Sequence, residues 1–203
     1  MASAKVDEKA ILEAAASVFA EKGWAGARVD AIASEAGLNK AMLYYRVGGK
    51  EELYRRVVLK GQEYFTQAVE RALEKAAGPE DAVRKIVETI AGNVRENRLF
   101  PSIILREIAG GGANLPRESL AGIKKLMEII RDLANRGMET GAFRKIDPVA
   151  LQFMIMGAVF TLSLTADMRR KVAPDSPGPV TAEEIASSIE NILTRGILQG
   201  GEE

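Results

Sequence analysis

Neither a cysteine nor a histidine occurs among the 203 residues of this chain. The first absence removes disulfides, thiolate nucleophiles and thiolate metal ligands. Together the two remove Ser-His and Cys-His nucleophile pairs and the usual zinc sites. An enzyme would be left with carboxylates, acting as acid and base or holding Mg²⁺ or Ca²⁺. It would need acids gathered on an interior face, yet the Asp and Glu residues fall on polar stripes and at helix starts. No catalytic site, metal or cofactor is therefore expected. Net charge is missing too: 28 Lys and Arg balance 28 Asp and Glu, so nothing global announces a nucleic-acid partner. The opening stretch, MASAKVDEK, lacks the apolar segment of a secretory leader.

What is present is ordinary for a soluble globular protein: 47% apolar and 28% charged residues, at a length that suits one or two domains. The charge has a local pattern. Residues 1–60 hold 10 cations against 8 acids, and residues 38–60 hold 6 (Lys40, Arg46, Lys50, Arg55, Arg56, Lys60) against 2 (Glu51, Glu52). That is a modest basic patch of the kind phosphate binding uses. Between Val149 and Ala166, 18 consecutive residues carry no charge, which touches the lower limit for a membrane span. Gln152, Thr161, Ser163 and Thr165 interrupt it and Asp147 and Asp167 bracket it, so a helix buried on more than one side is expected, with no membrane.

Helical periodicity runs throughout and strand alternation is absent, which predicts an all-α fold of about nine helices. The first helix spans about Asp7–Lys22, with Ile11, Ala15, Val18 and Phe19 on one face and Gly23 to end it. Two short helices follow, near Val29–Ala36 and Lys40–Arg46, then a long one from Lys50 to about Ala77. Further helices are expected over about Glu80–Asn97, Phe100–Ala109, Arg117–Thr140, from Pro148 behind an Asp147 cap, and from a Thr181/Glu184 capping box.

The informative stretch is Val29 to Val47. Two short helices joined at Gly37, with Val29, Ile32, Ala33, Leu38 and Leu43 placed to lock their crossing, make a helix-turn-helix. Its second helix, capped by Asn39, would present Lys40, Ala41, Tyr44 and Tyr45 outward, its N-terminal end entering the major groove.

Residues 8–60 resemble the DNA-binding domain of the TetR family. The resemblance is carried by Phe19-Ala-Glu-Lys-Gly23-Trp24, Ile32-Ala33-x-x-Ala36-Gly37, Leu43-Tyr44-Tyr45 and Lys50-Glu51-Glu52-Leu53, in that order and spacing. The chain departs from the pattern at Arg28, where a capping Ser or Thr is usual, at Ala41, at Arg46-Val47 and at Gly48-Gly49.

The resemblance implies a DNA-binding domain over 1–50 and an effector-binding and dimerisation domain over 51–203. The protein would then be a cytoplasmic, ligand-responsive regulator, a homodimer released from a palindromic operator by a small apolar molecule. Arg28, Lys50 and the Tyr44 hydroxyl would hold phosphates, and Lys40, Tyr45 and the Ala41 methyl would meet base edges. Asn39 is a candidate contact whose plainer role is the cap. The family's effector pocket lies among its fourth to eighth helices, where this chain offers Phe65, Val94, Ile104, Glu107, Met127, Met154 and Phe160, with Arg106 as a second polar anchor. The family pairs its last two helices across the dimer, here with Ile155, Val159, Leu162, Ile185, Ile189 and Ile192. A helical adaptor, or a carboxylate- and Mg²⁺-dependent enzyme without a DNA role, are the competing readings.

Overall fold

The computed structural model describes residues 7–197; of the opening stretch MASAKVDEK, residues 1–6 lie outside them. Among the described residues there are nine α-helices and no strand: α1 Glu8–Gly26, α2 Val29–Glu35, α3 Lys40–Val47, α4 Lys50–Glu74, α5 Pro79–Glu96, α6 Leu99–Ala109, α7 Ser119–Glu139, α8 Pro148–Val172 and α9 Ala182–Ile197. The chain divides into two compact units. One takes the residues up to Glu63 with Leu99–Leu120; the other takes Tyr64–Arg98 with the residues from Ala121 onward.

In the first unit, Ile11, Ala15, Val18 and Phe19 of α1 meet Ile32, Leu43, Leu53 and Val57 in one buried cluster, which Ile103 of α6 joins. Regular α1 stops at Gly23, whose φ of 68° and ψ of 176° suit glycine alone. Arg106 of α6 covers the freed end: its Nε donates to the Ala20 carbonyl at 3.1 Å and its Nη2 to that of Glu21 at 3.0 Å. Helix ends leave such carbonyls without partners, and a guanidinium is a suitable donor for them. At Gly61, in the middle of α4, the Phe100 ring lies so close to the backbone that a Cβ there would overlap it.

One expectation about the acids fails here. Glu107 sits on no polar stripe; it is 5% exposed. The Tyr54 hydroxyl donates to its Oε1 at 2.6 Å, and the Asn114 backbone N–H donates to its Oε2 at 3.1 Å. Burial first and then this carboxylate push the Tyr54 hydroxyl far above the usual phenol range.

In the second unit α5 packs on α8 and α9, burying Val83, Ile86, Val87, Ile90 and Val94, the stripe its periodicity predicts. The Asp147 side chain accepts from Ala150 N–H at 2.9 Å. Glu184 Oε2 accepts from Thr181 N–H at 3.0 Å while Thr181 Oγ1 accepts from Glu184 N–H at 3.2 Å, a complete capping box. Helix α4 ends at Glu74 rather than Ala77, because Asp81 in the first turn of α5 takes the Ala77 N–H at 2.9 Å. Helix α7 starts two residues later than expected, since Ser119 is first held in a turn onto the Pro116 carbonyl.

Helix α8 also departs from expectation. Its inner face, Leu151, Ile155, Val159 and Phe160, is buried, but Phe153, Met154, Met168 and Val172 are all more than half exposed. Only a third of its 18-residue apolar window is buried. It is long and apolar enough to cross a membrane by composition alone. Its buried inner face, shared with α5 and α9, reads instead as a core helix whose outer side has no cover within one chain.

Candidate nucleic-acid interface

The turn between α2 and α3 is closed by two backbone bonds, Leu38 N–H to the Ala33 carbonyl at 2.8 Å and Gly37 N–H to that of Ser34 at 3.1 Å. This pairing needs a left-handed residue, and Gly37 supplies φ 66°. Asn39 then caps α3, its Oδ1 accepting from Met42 N–H at 2.8 Å. Ile32, Ala33, Leu43 and Val47 are buried and Val29 and Leu38 pack against them, so the crossing is locked as the spacing predicts.

The outer face of α3 carries what the lock leaves over. Lys40 and Ala41 are exposed, Tyr44 is about half exposed at 48%, and Tyr45 is 93% exposed. A tyrosine that open adds nothing to the core; its ring and hydroxyl are available to a partner. Asn39 is exposed but occupied by its cap. Arg28 stands exposed at the N-cap of α2 and makes no capping bond, as expected when an arginine replaces Ser or Thr.

Lys50, first residue of α4, lies with its ammonium 4.6 Å from the centre of the Trp24 ring. Trp24 in turn stacks near Phe19 (centroids 6.1 Å) and tilts against Tyr54 (4.9 Å). Trp24 packs against the buried cluster of the first unit. Its other close neighbours are Tyr54 and Lys50 of α4.

The basic patch is less free than its count implies. Arg55 Nε reaches Glu52 at 2.7 Å and its Nη1 reaches Glu118 at 3.6 Å. Arg56 meets Glu52 at 2.6 Å and Glu8 at 2.8 Å. Lys40 Nζ meets Asp30 at 3.1 Å. The hydrogen bonds from Arg55 and then Arg56 hold the Glu52 carboxyl at about 2, against an ordinary 4.5. Glu8, Asp30 and Glu118 lie outside residues 38–60, so a charge count over that window had no means of finding them.

The residues expected to line an effector pocket are divided. Phe65, Val94, Met127, Met154 and Phe160 belong to the second unit, Ile104 and Glu107 to the first. Phe65 and Phe160 do meet, edge to face at 5.5 Å, and both are buried with Val94 in closed core. Met127 is half-buried and Met154 exposed. Glu107 and Arg106 are already engaged, with Tyr54 and Asn114 and with the end of α1. A cavity of about 220 Å³ does open in the second unit, but beside Leu73, Ala82, Leu133, Arg136 and Thr140, with none of the expected residues on its wall.

The expected dimer set is redistributed in the same way. Ile155, Val159, Ile185 and Ile189 are buried within their own unit; Leu162 is half-buried and Ile192 is 67% exposed. The large apolar side chains that α8 turns outward are Val149, Phe153, Met154, Met168 and Val172. Sequence periodicity could not separate the two faces, because α8 is apolar nearly all round. Among the described residues no group of three or more Asp and Glu is placed to hold a metal ion.

Two family models match successive stretches of the chain. Residues 11–57 match the family model described as bacterial regulatory proteins, tetR family, and residues 79–175 match the tetracyclin repressor-like C-terminal domain. The HTH-type transcriptional repressor NicS of Pseudomonas putida is 30% identical over 138 residues, 66% of this chain. The match spans 64% of NicS, just under two thirds of its length. The solved structure of the transcriptional regulator PfmR from Thermus thermophilus is similar at 31% identity and a TM-score of 0.66, covering 93% of this chain and 98% of that one. AibR, solved in complex with isovaleryl coenzyme A and operator DNA, shares the fold at 24% identity and a TM-score of 0.72, over 91% of this chain and 96% of that one.

Proposed function

The chain belongs to the tetR family of bacterial regulatory proteins, and on that premise we propose that it is a cytoplasmic repressor, held on a palindromic operator as a homodimer and released by a small, largely apolar molecule. It is a DNA-binding regulator and not an enzyme. Residues 1–50 bind DNA; residues 51–203 bind the effector and the second subunit.

The observation that carries this reading is the outer face of α3, where Tyr45, Lys40 and Ala41 stand exposed on a two-helix unit locked from behind. Lysine suits guanine acceptors and the alanine methyl a thymine methyl, while Arg28, the Tyr44 hydroxyl and Lys50 take phosphates. Two such helices about 34–36 Å apart address successive turns of the duplex, which requires a symmetric pair of chains. The outward apolar residues of α8, with Ile192 of α9, are the surface proposed to join them.

The effector reading draws on the relatives and on the second unit's interior. AibR was solved with an acyl coenzyme A, and an apolar acyl chain suits an interior furnished by Phe65, Val94 and Phe160. That core is closed, so an effector entering it must favour an opened conformation. Helix α4 contributes residues to both units, and a displacement of its later turns would be carried to Lys50 at its head. Hundredfold relief of repression asks the effector to prefer the non-binding conformation by about 2.7 kcal/mol.

The test is a selection of genomic DNA fragments by the purified protein, beside a Tyr45→Ala, Lys50→Ala double variant. A palindrome enriched by the first and lost by the second is expected. If no fragment is enriched, even after unfolding and refolding to strip any co-purified ligand, the reading falls.

A further inference from the structure

Asp30 lies in the first turn of α2 and Lys40 opens α3. Their side chains meet, Lys40 Nζ donating to Asp30 Oδ2 at 3.1 Å, and both are more than half exposed. An exposed pair of this kind contributes little to stability. Its importance lies in where it is. Lys40 is the first residue of the helix proposed to enter the major groove, and a lysine ammonium is a compact charge that any nearby acceptor satisfies, phosphate or base. Unmodified, such a side chain raises affinity for every duplex alike.

The carboxylate alters that balance in a directed way. A phosphate drawn to Lys40 must approach Asp30 as well, and two anions sharing one ammonium repel each other. Guanine O6 and N7 are uncharged acceptors and meet no such penalty. The pair also holds the flexible lysine stem in one orientation before DNA arrives, which reduces the ordering left to do on binding. Two residues earlier Arg28 stands exposed with no capping bond, so phosphate attraction at the start of α2 does not depend on Lys40.

We propose that Asp30 is a positioning residue for sequence discrimination: it holds Lys40 for base edges and disfavours its capture by phosphates, so that the protein separates its operator from random duplex. This rests on the reading of α3 as the recognition helix.

The experiment is a set of fluorescence-anisotropy titrations over a range of salt concentrations, on the operator selected by the wild-type protein and on a scrambled duplex of equal length. Wild type, Asp30→Asn, Lys40→Ala and the double variant are compared, with Asp30→Ser as a second neutral replacement and melting temperatures recorded throughout. Removing the carboxylate is expected to tighten the scrambled duplex several-fold and the operator by less. The slope of log affinity against log salt on the scrambled duplex should steepen by about 0.9, the signature of one added phosphate contact. Both effects should disappear once Lys40 is alanine. The proposal is overturned if both neutral variants shift the two duplexes by one common factor, if their effect survives the loss of Lys40, or if they weaken both duplexes together with a lowered melting temperature. A wild-type protein that selects no operator fails the regulator reading itself and takes this proposal with it, a failure distinct from the other three.

Discussion

At the scale of single residues, the ion pairs around Glu52 decide how the DNA-binding unit meets acid. Its folded-state carboxyl is held at about 2 by Arg55 and Arg56, below an unfolded value near 4.5. A depressed carboxyl contributes stability that is present above 4.5 and lost as pH falls toward 2. Glu52→Gln should therefore flatten the acid limb of stability over that window and leave the curve above pH 6 nearly parallel to wild type, as chemical denaturation at stepped pH would reveal. Tyr45 makes the opposite case. It is 93% exposed, so Tyr45→Ala should leave the melting temperature within a degree or two while operator affinity falls about five- to a hundredfold, by anisotropy titration. An equal loss on scrambled DNA would reassign Tyr45 to the phosphate backbone.

At the scale of elements, close approach overrides propensity. Gly61 sits in mid-helix, where alanine would ordinarily gain about 1 kcal/mol. The Phe100 ring occupies the space a Cβ needs, so Gly61→Ala should instead destabilise, by about 1–3 kcal/mol. The sign should revert in a Phe100→Leu background, in a double-mutant cycle of thermal melts. Helices themselves were legible: the 3.6-residue stripes of α1 and α5, the Asn39 and Asp147 caps and the Thr181 box all stand where their residues predict. What pattern alone did not reveal is partnership over long separations. Arg106 is found at the end of α1, 86 residues away in sequence, and Glu107 beneath Tyr54 at a separation of 53, because a local window carries no information about which helix will lie opposite. The helix-turn-helix itself was legible since its lock and turn are confined to nineteen contiguous residues, Val29 to Val47. Which side chains of α8 lie inward was not legible, since that helix offers apolar residues on every side and only packing decides.

At the scale of the whole molecule, the proposed homodimer assembles through the outward side of α8. Phe153→Arg places a charge on that side without touching the buried Ile155 or Val159. Sedimentation should show the variant shifted from dimer to monomer, with helical content kept and operator affinity lost. A variant that remains dimeric would move the interface elsewhere. The chain's division into units has a consequence for recombination. Residues 99–120 are grouped with the DNA-binding segment although some 35 residues belonging to the other unit intervene, so the head is not a detachable N-terminal module. A chimera that transplants residues 1–50 alone onto a relative's body would leave Ile103, Arg106 and Glu107 behind and substitute strangers for them. Exchange of operator preference between relatives should therefore succeed only when the head and its α6 companion travel together, a two-segment inheritance that a single crossover cannot deliver.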